Sequence, residues 1–264
     1  MEAKTQKIEI QNRNNQKIVG ILEFPQGEPV GTAIVQHGYG GFKEQDHVIR
    51  MKDAFLNNSY ITFNFDTTNA FGKSDGQYEK ATLGLHYEDF EDVANWVQEQ
   101  EWFTSPLAVT GHSMGGYSVA RYAEQYPDKV ALCAPIAPVV SGRLSWEAHE
   151  EFAPDEFAKW KKEGMLVKPS STNPNNIKRS PWSHMEERLG HDLLPNAKKL
   201  TMPVFLYVGT KDTSIPPKHV QKLFDALPEG KKALVVAEGA PHTYRTENDL
   251  DHLYESMDQW IKSL

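Results

Sequence analysis

The chain has 264 residues, of which 39% are hydrophobic and 24% are charged, and its formal net charge is −8. This length suits one large α/β domain or two small ones, and the two fractions are those of a soluble globular protein. The acidic side chains are scattered and no concentrated basic face is evident, which argues against general nucleic-acid binding.

The single cysteine, Cys133, lies in the apolar run 130–134, which predicts a buried and unreactive thiol. One cysteine forms no internal disulfide, so a reducing compartment is allowed. Residues 1–7 lack the apolar core of a secretion signal, and no apolar run approaches the ~20 residues of a membrane-spanning helix. We therefore expect a cytoplasmic protein without a membrane span.

The first half of the chain alternates strand-like and helix-like patterns. An Asn-rich turn separates residues 4–12 from residues 17–24, which predicts a hairpin. Apolar runs typical of buried parallel strands follow at 32–36, 60–65, 107–109 and 130–136. Helical spacing lies between these runs, in a helix that we expect Asp46 to cap, over 87–97 and over 117–126. The alternation predicts an α/β fold, with a mostly parallel central sheet and helices on both faces.

The alternation breaks at Ser141, and no strand is evident over residues 141–198. Short helices are expected around 145–163 and 181–190. A segment this long without a strand indicates an insertion rather than a connecting loop.

The pattern resumes after the insertion. Strands are expected at 203–208 and 233–236, with a helix between them at 217–227. The last helix is expected over 250–261. We therefore divide the chain into a core of residues 1–140 and 199–264 and an inserted subdomain of residues 141–198.

One pentapeptide, Gly111 to Gly115, reads Gly-His-Ser-Met-Gly between a strand pattern and a helix pattern. This context is that of a nucleophile elbow, a strained turn that projects its serine into a cleft. A serine hydroxyl is a weak nucleophile at neutral pH, so Ser113 requires a base and a group that orients the base.

Two later strands supply these groups at their carboxyl ends, where ligands bind to an open parallel sheet. Asp212 follows the strand at 203–208, and His242 follows the strand at 233–236. The sequence therefore predicts a catalytic triad of Ser113, Asp212 and His242, with Glu238 as an alternative to Asp212.

The other histidines are expected to serve other purposes. We interpret His112 as a packing or hydrogen-bonding residue and His37 as part of a loop that shapes the oxyanion hole. His184, His191 and His219 do not follow strands and are interpreted as structural or solvated.

The oxyanion of acyl transfer needs hydrogen-bond donors, and the expected pair is the backbone N–H groups of Met114 and Tyr39. Tyr39 lies in the glycine-rich loop 37–41. No cluster of His, Cys and carboxylate residues has metal-site spacing, and we expect neither a metal nor a cofactor.

These motifs together support a family resemblance. The order His-Gly-Tyr-Gly-Gly, Gly-His-Ser-Met-Gly-Gly, Gly-Thr-Lys-Asp and a late His resembles α/β-hydrolases of the serine esterase type. The segment from Phe63 to Tyr78 is similar to the corresponding loop of bacterial feruloyl (cinnamoyl) esterases, and related patterns occur in monoacylglycerol lipases. The resemblance covers nearly the whole chain outside residues 141–198.

In such esterases the insertion is a lid over the active site, and its aromatic side chains are expected to contact substrate. The candidates for an acyl or aryl pocket are Trp146, Phe152, Phe157, Trp160, Trp182 and Met185, and about half of them are expected instead to pack the lid onto its own core. A lid that excludes water from a reactive serine is also favoured on physical grounds.

The expected function is hydrolysis of small to medium carboxylic esters with an apolar or aromatic acyl group. A thioesterase, an acyltransferase, a carbon–carbon bond hydrolase or a perhydrolase remains open, and so does a non-catalytic binding protein. A haloalkane dehalogenase is excluded because the elbow has serine where that chemistry needs aspartate. A serine aminopeptidase needs an acidic pocket, for which the candidates are Glu147, Glu150, Glu151, Asp155 and Glu156, although their pattern favours a solvated acidic helix face.

Overall fold

A computed structural model describes residues 5–170 and 173–264 of the chain. In chain order its strands are β1 Thr5–Gln11, β2 Lys17–Glu23, β3 Gly31–Gln36, β4 Tyr60–Asp66, β5 Leu107–His112, β6 Leu132–Ile136, β7 Met165–Pro169, β8 Ile177–Pro181, β9 Val204–Gly209 and β10 Lys232–Ala237. Its α-helices are α1 Asp46–Leu56, α2 Leu83–Gln98, α3 Met114–Gln125, α4 Gly142–Phe152, α5 Pro154–Glu163, α6 Ser183–Arg188, α7 Pro217–Ala226 and α8 Glu247–Lys262.

Eight strands form the central sheet, in the order β1-β2-β4-β3-β5-β6-β9-β10. The six strands from β4 to β10 in this order run parallel, while β2 is antiparallel to both β1 and β4. The strands β3, β4, β5, β6 and β9 are buried along their whole length, as their continuous apolar runs require. The mostly parallel sheet predicted from the sequence is confirmed.

Helices cover both faces of this sheet. The apolar sides of α1 and α8 meet on one face, where Phe55 and Leu253 are fully buried. The helices α2, α3 and α7 cover the other face, with Phe90, Tyr122 and Leu223 in its core. No helix in the described part of the chain is long and apolar enough to cross a membrane.

The first helix differs from the sequence prediction at its start. Gln45 is the N-cap residue and Asp46 is the first residue inside α1, so the prediction that Asp46 caps the helix is wrong. The side chain of Gln45 makes no capping hydrogen bond to the helix. The Asp46 carboxylate lies in the first turn instead, where the helix dipole favours negative charge.

The inserted segment contains a hairpin that the sequence did not predict. Strands β7 and β8 pair only with each other, antiparallel, and stay outside the main sheet. They carry lysine, arginine and proline, and their apolar residues Val167 and Ile177 are half exposed. The expectation of a strandless insertion is therefore wrong, because a solvent-facing hairpin lacks the alternating apolar pattern. Ala153 has a non-helical backbone conformation, so the helical region expected around 145–163 is divided into α4 and α5.

Candidate active site

Ser113 lies between β5 and α3 in a left-handed backbone conformation, with φ 58° and ψ −113°. Its N–H donates to the carbonyl oxygen of Ile136 at 2.9 Å, and its own carbonyl accepts from the N–H of Val139 at 3.1 Å. These two bonds fix the strained residue to the chain that follows β6. The elbow predicted at this position is confirmed as a strand-to-helix turn.

The glycines of the elbow allow backbone segments to approach closely. A Cβ on Gly111 would lie 2.4 Å from the carbonyl oxygen of Gly115. A Cβ on Gly115 would lie 2.5 Å from the carbonyl oxygen of His37, which belongs to the glycine-rich loop after β3. Any larger residue would therefore push the elbow away from this loop.

The structure brings Ser113, His242 and Asp212 into one hydrogen-bonded chain. The Ser113 hydroxyl lies 3.0 Å from Nε2 of His242, and Nδ1 of His242 lies 2.6 Å from Oδ2 of Asp212. Because a carboxylate only accepts, Nδ1–H is the donor to Asp212, which leaves Nε2 to accept the serine proton. The alternative orienting residue, Glu238, is exposed and takes no part in this chain.

Backbone groups hold Asp212 in place. Its Oδ1 accepts from the N–H of Ser214 at 2.9 Å and from the N–H of Ile215 at 2.7 Å, and the residue is 2% exposed. Both carboxylate oxygens are therefore engaged. Since the imidazole of His242 is held by this fixed carboxylate, its ring orientation is set before any ligand binds.

His112 supports the backbone of His242. Its Nε2–H donates to the carbonyl oxygen of His242 at 2.8 Å, and the His47 ring packs edge-on against it. Burial lowers the pKa of His112, and it lowers the pKa of His47 to about 3. Both rings are therefore neutral packing groups, as the sequence interpretation of His112 required.

The loop after β3 passes beside the nucleophile. A Cβ on Gly38 would lie 3.0 Å from Cβ of Ser113. His37 shapes this loop, because its Nδ1–H donates to the carbonyl of Gly38 at 2.7 Å and its Nε2 accepts from the N–H of Thr67 at 3.0 Å. Burial also lowers the pKa of His37. His37 is thus occupied away from Ser113.

The two expected oxyanion donors, Tyr39 and Met114, both line the cavity above Ser113. The hydrogen bonds among the described residues use neither of their backbone N–H groups. The side chain of Tyr39 connects this loop to the insertion. Its hydroxyl donates to Nδ1 of His184 at 2.8 Å and lies 3.0 Å from Oγ of Ser180, while Nε2–H of His184 donates to the carbonyl of Glu79.

A cavity of about 660 Å³ opens above Ser113. Its floor is formed by the elbow and by loop residues 38–41, and the inserted segment forms its roof. The roof includes His149 of α4, Trp160 of α5 and Leu166 of β7. This volume is in the usual range for a small-molecule site.

The aromatic residues expected to contact substrate divide into two groups. Trp160 lines the cavity, and its indole N–H donates to the carbonyl of Ser180 at 2.8 Å. The remaining candidates are absent from the cavity wall, and their positions correct the sequence expectation. Trp146, Phe157, Trp182 and Met185 pack together as the insertion's own core, and Phe152 is 45% exposed. A segment outside the main sheet needs a hydrophobic core of its own. These side chains form that core and are therefore not available to contact substrate.

Cationic residues of the cavity wall were missed by sequence reasoning. They are Lys168, Lys178, Arg188, Lys211 and Arg245, and no Asp or Glu is among the described residues that line the cavity. Burial together with the neighbouring charges of Lys168 and Arg245 lowers the pKa of Lys178 to about 8. Three of them lie ten residues apart in the insertion and the other two follow β9 and β10, so they form no local run of basic residues in the sequence.

The acidic residues considered for an aminopeptidase pocket lie outside the cavity wall. Glu147 pairs with Arg143 at 3.0 Å on the surface of α4. Glu151 pairs with Lys218, which belongs to α7. Glu156 pairs with Lys168 at 2.7 Å, and Glu150 and Asp155 are exposed.

Comparison with known proteins gives one family and several relatives. The model of the family described as "Serine aminopeptidase, S33" matches residues 27–249. The mitochondrial palmitoyl-protein thioesterase ABHD10 of Mus musculus is 24% identical over 209 residues, which span 79% of this chain and 67% of that protein. A monoacylglycerol lipase of Mycolicibacterium smegmatis is 24% identical over 271 residues, which span 94% of this chain and 93% of that protein.

Solved structures resemble the whole chain. Est1E of Butyrivibrio proteoclasticus with bound ferulic acid aligns with a TM-score of 0.80 at 20% identity, over 97% of this chain and 98% of that chain. Mouse alpha/beta hydrolase domain-containing protein 10 aligns with a TM-score of 0.78 at 19% identity, over 98% and 99% of the two chains. At such identities the likeness shows shared architecture alone.

Proposed function

The chain belongs to the serine aminopeptidase S33 family and has the α/β-hydrolase fold, and from this premise we propose that it is a serine carboxylic-ester hydrolase. The observation that carries the proposal is the hydrogen-bonded chain from Asp212 through His242 to Ser113, whose hydroxyl lies on the floor of the cavity. A non-catalytic member of the fold would have no need for this intact chain.

In the first half of the reaction, His242 removes the proton of Ser113 as its Oγ attacks the ester carbonyl. Asp212 holds the imidazole and stabilises the imidazolium that forms. The N–H groups of Tyr39 and Met114 donate to the oxyanion of the tetrahedral intermediate. The loss of one such donor typically costs about 3–4 kcal/mol of transition-state stabilisation.

The first half ends when His242 delivers its proton to the leaving alcohol and the acyl group remains on Ser113. In the second half a water molecule attacks the acyl-enzyme and gives its proton to His242, which returns the proton to Ser113 Oγ as the bond to the acyl group breaks and the carboxylic acid leaves. A thioester would react through the same steps with a thiol as leaving group. The relatives named as a thioesterase and a monoacylglycerol lipase are consistent with either acyl donor.

The inserted residues 141–198 act in this proposal as a lid. Their helices and hairpin form the cavity roof, with Trp160 and Leu166 as apolar contacts for the substrate. Exclusion of water strengthens the electrostatic stabilisation of the oxyanion below. The substrate is a small to medium ester, because the cavity volume of about 660 Å³ admits a molecule of that size.

The absence of a carboxylate from the described cavity wall argues against an aminopeptidase. The α-ammonium group of a peptide substrate needs an acidic partner, and Lys178 and Arg188 would repel it. Ester substrates have no such requirement. The proposed substrate range includes feruloyl esters, for which methyl ferulate is the test substrate.

The proposal is tested by a panel of p-nitrophenyl esters of rising chain length, methyl ferulate, a monoacylglycerol, an acyl-CoA and aminoacyl-nitroanilides. We expect ester turnover that falls by at least about 10³-fold in Ser113→Ala, because no other hydroxyl replaces the nucleophile. Ser256→Ala, on α8, is the matched control and should retain activity. A fluorophosphonate probe should label Ser113 in the wild type and Ser256→Ala proteins. Ester turnover that survives Ser113→Ala would contradict the mechanism, and cleavage of anilides alone would favour a peptidase.

A further inference from the structure

The charge of the cavity is opposite to the charge of the protein. The chain has a formal net charge of −8, whereas five cationic side chains and no carboxylate line the described wall of the cavity. Such a concentration of one sign in a cleft focuses an electrostatic field on any ligand inside. A neutral ester carries no full charge on which this field acts before the oxyanion forms.

Arg188 lies next to the nucleophile elbow, beside Met114. Its Nε is enclosed and has no hydrogen-bond partner among the described residues, and its Nη2 lies 4.0 Å from the Met114 sulfur. Burial lowers the pKa of its guanidinium. An enclosed guanidinium without a counter-ion is costly, because desolvation is not offset by an ion pair. Arg188 lies beside the residue whose N–H is an expected oxyanion donor.

The carboxylate next to Arg188 in sequence is engaged elsewhere. Glu187 accepts from the N–H groups of Leu83 and Gly84 at 3.1 and 2.8 Å, and from Nε2–H of His191 at 2.7 Å. These bonds direct its side chain toward the start of α2. Within the described ranges Arg188 therefore forms no ion pair, and it lines the cavity.

Lys178 is a second cation without an ion pair among the described residues. It projects from β8 over the oxyanion loop, since a Cβ on Gly40 would lie 3.4 Å from its Cε. Lys168, its neighbour across the hairpin, is already paired with Glu156. Lys178 and Arg188 therefore provide two unpaired positive charges on the roof of one cavity.

We propose, as an extension of the ester hydrolysis proposed above, that the substrate carries a second, anionic group, a carboxylate that pairs with Arg188, while Lys178 adds to the positive field of the same cavity. A planar guanidinium matches a carboxylate through two parallel hydrogen bonds, which a neutral acyl chain lacks. The carboxylate stands a few bonds from the scissile carbonyl, either at the far end of the acyl chain or in the leaving alcohol. The substrate class is that of half-esters of dicarboxylic acids and esters of hydroxy acids.

Matched substrate pairs test the proposal and locate the carboxylate. On the acyl side, mono-p-nitrophenyl adipate is compared with p-nitrophenyl hexanoate. On the alcohol side, the hexanoyl ester of 4-hydroxybenzoate is compared with that of methyl 4-hydroxybenzoate. We expect kcat/KM to favour the anionic member of one pair by about 10–100-fold, as for a hydrogen bond to a charged group. Equal values within both pairs would overturn the proposal.

Variants connect this preference to the two cations. Arg188→Gln and Lys178→Gln should each lower the ratio of anionic to neutral turnover by about tenfold or more. Arg143→Gln, a surface arginine of α4 paired with Glu147, should leave the ratio at its wild-type value. An unchanged ratio in Arg188→Gln would overturn the assignment. Inhibition of the wild-type protein provides a measurement without variants: adipate should compete more strongly than hexanoate, and more weakly as salt is added.

The results separate this inference from the proposed function. If neither member of any pair is hydrolysed and the fluorophosphonate leaves Ser113 unlabelled, ester hydrolysis itself fails. If the neutral esters are hydrolysed at least as well as the anionic ones, ester hydrolysis stands and the carboxylate preference falls.

Discussion

Among the described residues, the triad side chains at the carboxyl ends of the sheet strands are fully hydrogen-bonded, whereas two cations in the inserted roof of the cavity are not. At these strand ends, Asp212 has both carboxylate oxygens engaged and His242 has both ring nitrogens engaged. In the roof, Arg188 and Lys178 face the cavity without ion-pair partners in the described part of the chain. Because its hydrogen bonds are complete, the triad is already arranged for its reaction. The two cations without ion pairs are instead available to bind a ligand. From this contrast we infer that the core carries out the reaction and that the insertion selects the substrate.

The largest expected effect comes from the core. Asp212→Asn should lower kcat by about 10³–10⁴-fold, because an amide can hold the imidazole of His242 in the wrong tautomer. Steady-state turnover of a p-nitrophenyl ester measures the loss. Glu238→Gln is the control, since this exposed carboxylate follows the neighbouring strand and should not affect kcat. A comparable loss in Glu238→Gln would move the orienting role away from Asp212.

A smaller effect is expected for glycines of the two regions. Gly115→Ala should lower the free energy of unfolding by about 2–4 kcal/mol, because its Cβ would overlap carbonyl oxygens of Gln36 and His37. Gly164 is the C-cap of α5, with φ 73° and open space around it. Gly164→Ala should therefore lower the free energy of unfolding by only about 1 kcal/mol. Urea denaturation measures both values. Equal losses would contradict the rigidity of the elbow.

A third test concerns the attachment of the roof to the core. Glu187→Gln replaces the carboxylate that receives the N–H groups of Leu83 and Gly84, which should weaken this attachment by about 1–2 kcal/mol. Hydrogen exchange should accelerate in α6 and remain slow in β5 and β9. The exposed Glu186 on the same helix serves as the control in Glu186→Gln. Faster exchange throughout the sheet would instead indicate a global loss of stability.

The smallest expected effect is a pH dependence of the roof. The pKa of Lys178 is about 8, because burial and the facing charges of Lys168 and Arg245 disfavour its ammonium form. A lowered lysine pKa means that the charge is present below pH 8 and is lost above it. For the anionic ester, kcat/KM should therefore fall by about 3–10-fold between pH 7 and 9 relative to the neutral ester. Lys178→Arg should remove this relative fall, and its persistence would exclude Lys178 as the titrating group.

The sheet and the positions of Ser113, Asp212 and His242 could be predicted from sequence for a local reason. Buried parallel strands are continuous apolar runs, and the residues that follow them meet at one edge of the sheet. The hairpin of β7 and β8 could not be predicted, because its exposed strands carry no alternation. Asp46 was misplaced by one residue, within the usual uncertainty of helix ends.

The content of the cavity was harder to predict than its location. Aromatic residues in a polar insertion suggested a pocket, yet Trp146 and Trp182 stabilise the insertion itself. The cations Lys178, Arg188 and Arg245 converge only after folding, and sequence spacing carries no trace of such convergence. Long-range proximity of this kind depends on the tertiary structure, so it was visible only there.

The solitary thiol of Cys133 has a practical consequence. It is fully buried in β6, burial raises its pKa, and the chain has no other cysteine. Maleimide reagents therefore find no native target on the folded surface. A cysteine placed at half-exposed Ile177 would accept a single fluorophore, and its emission would report movement of the hairpin during turnover.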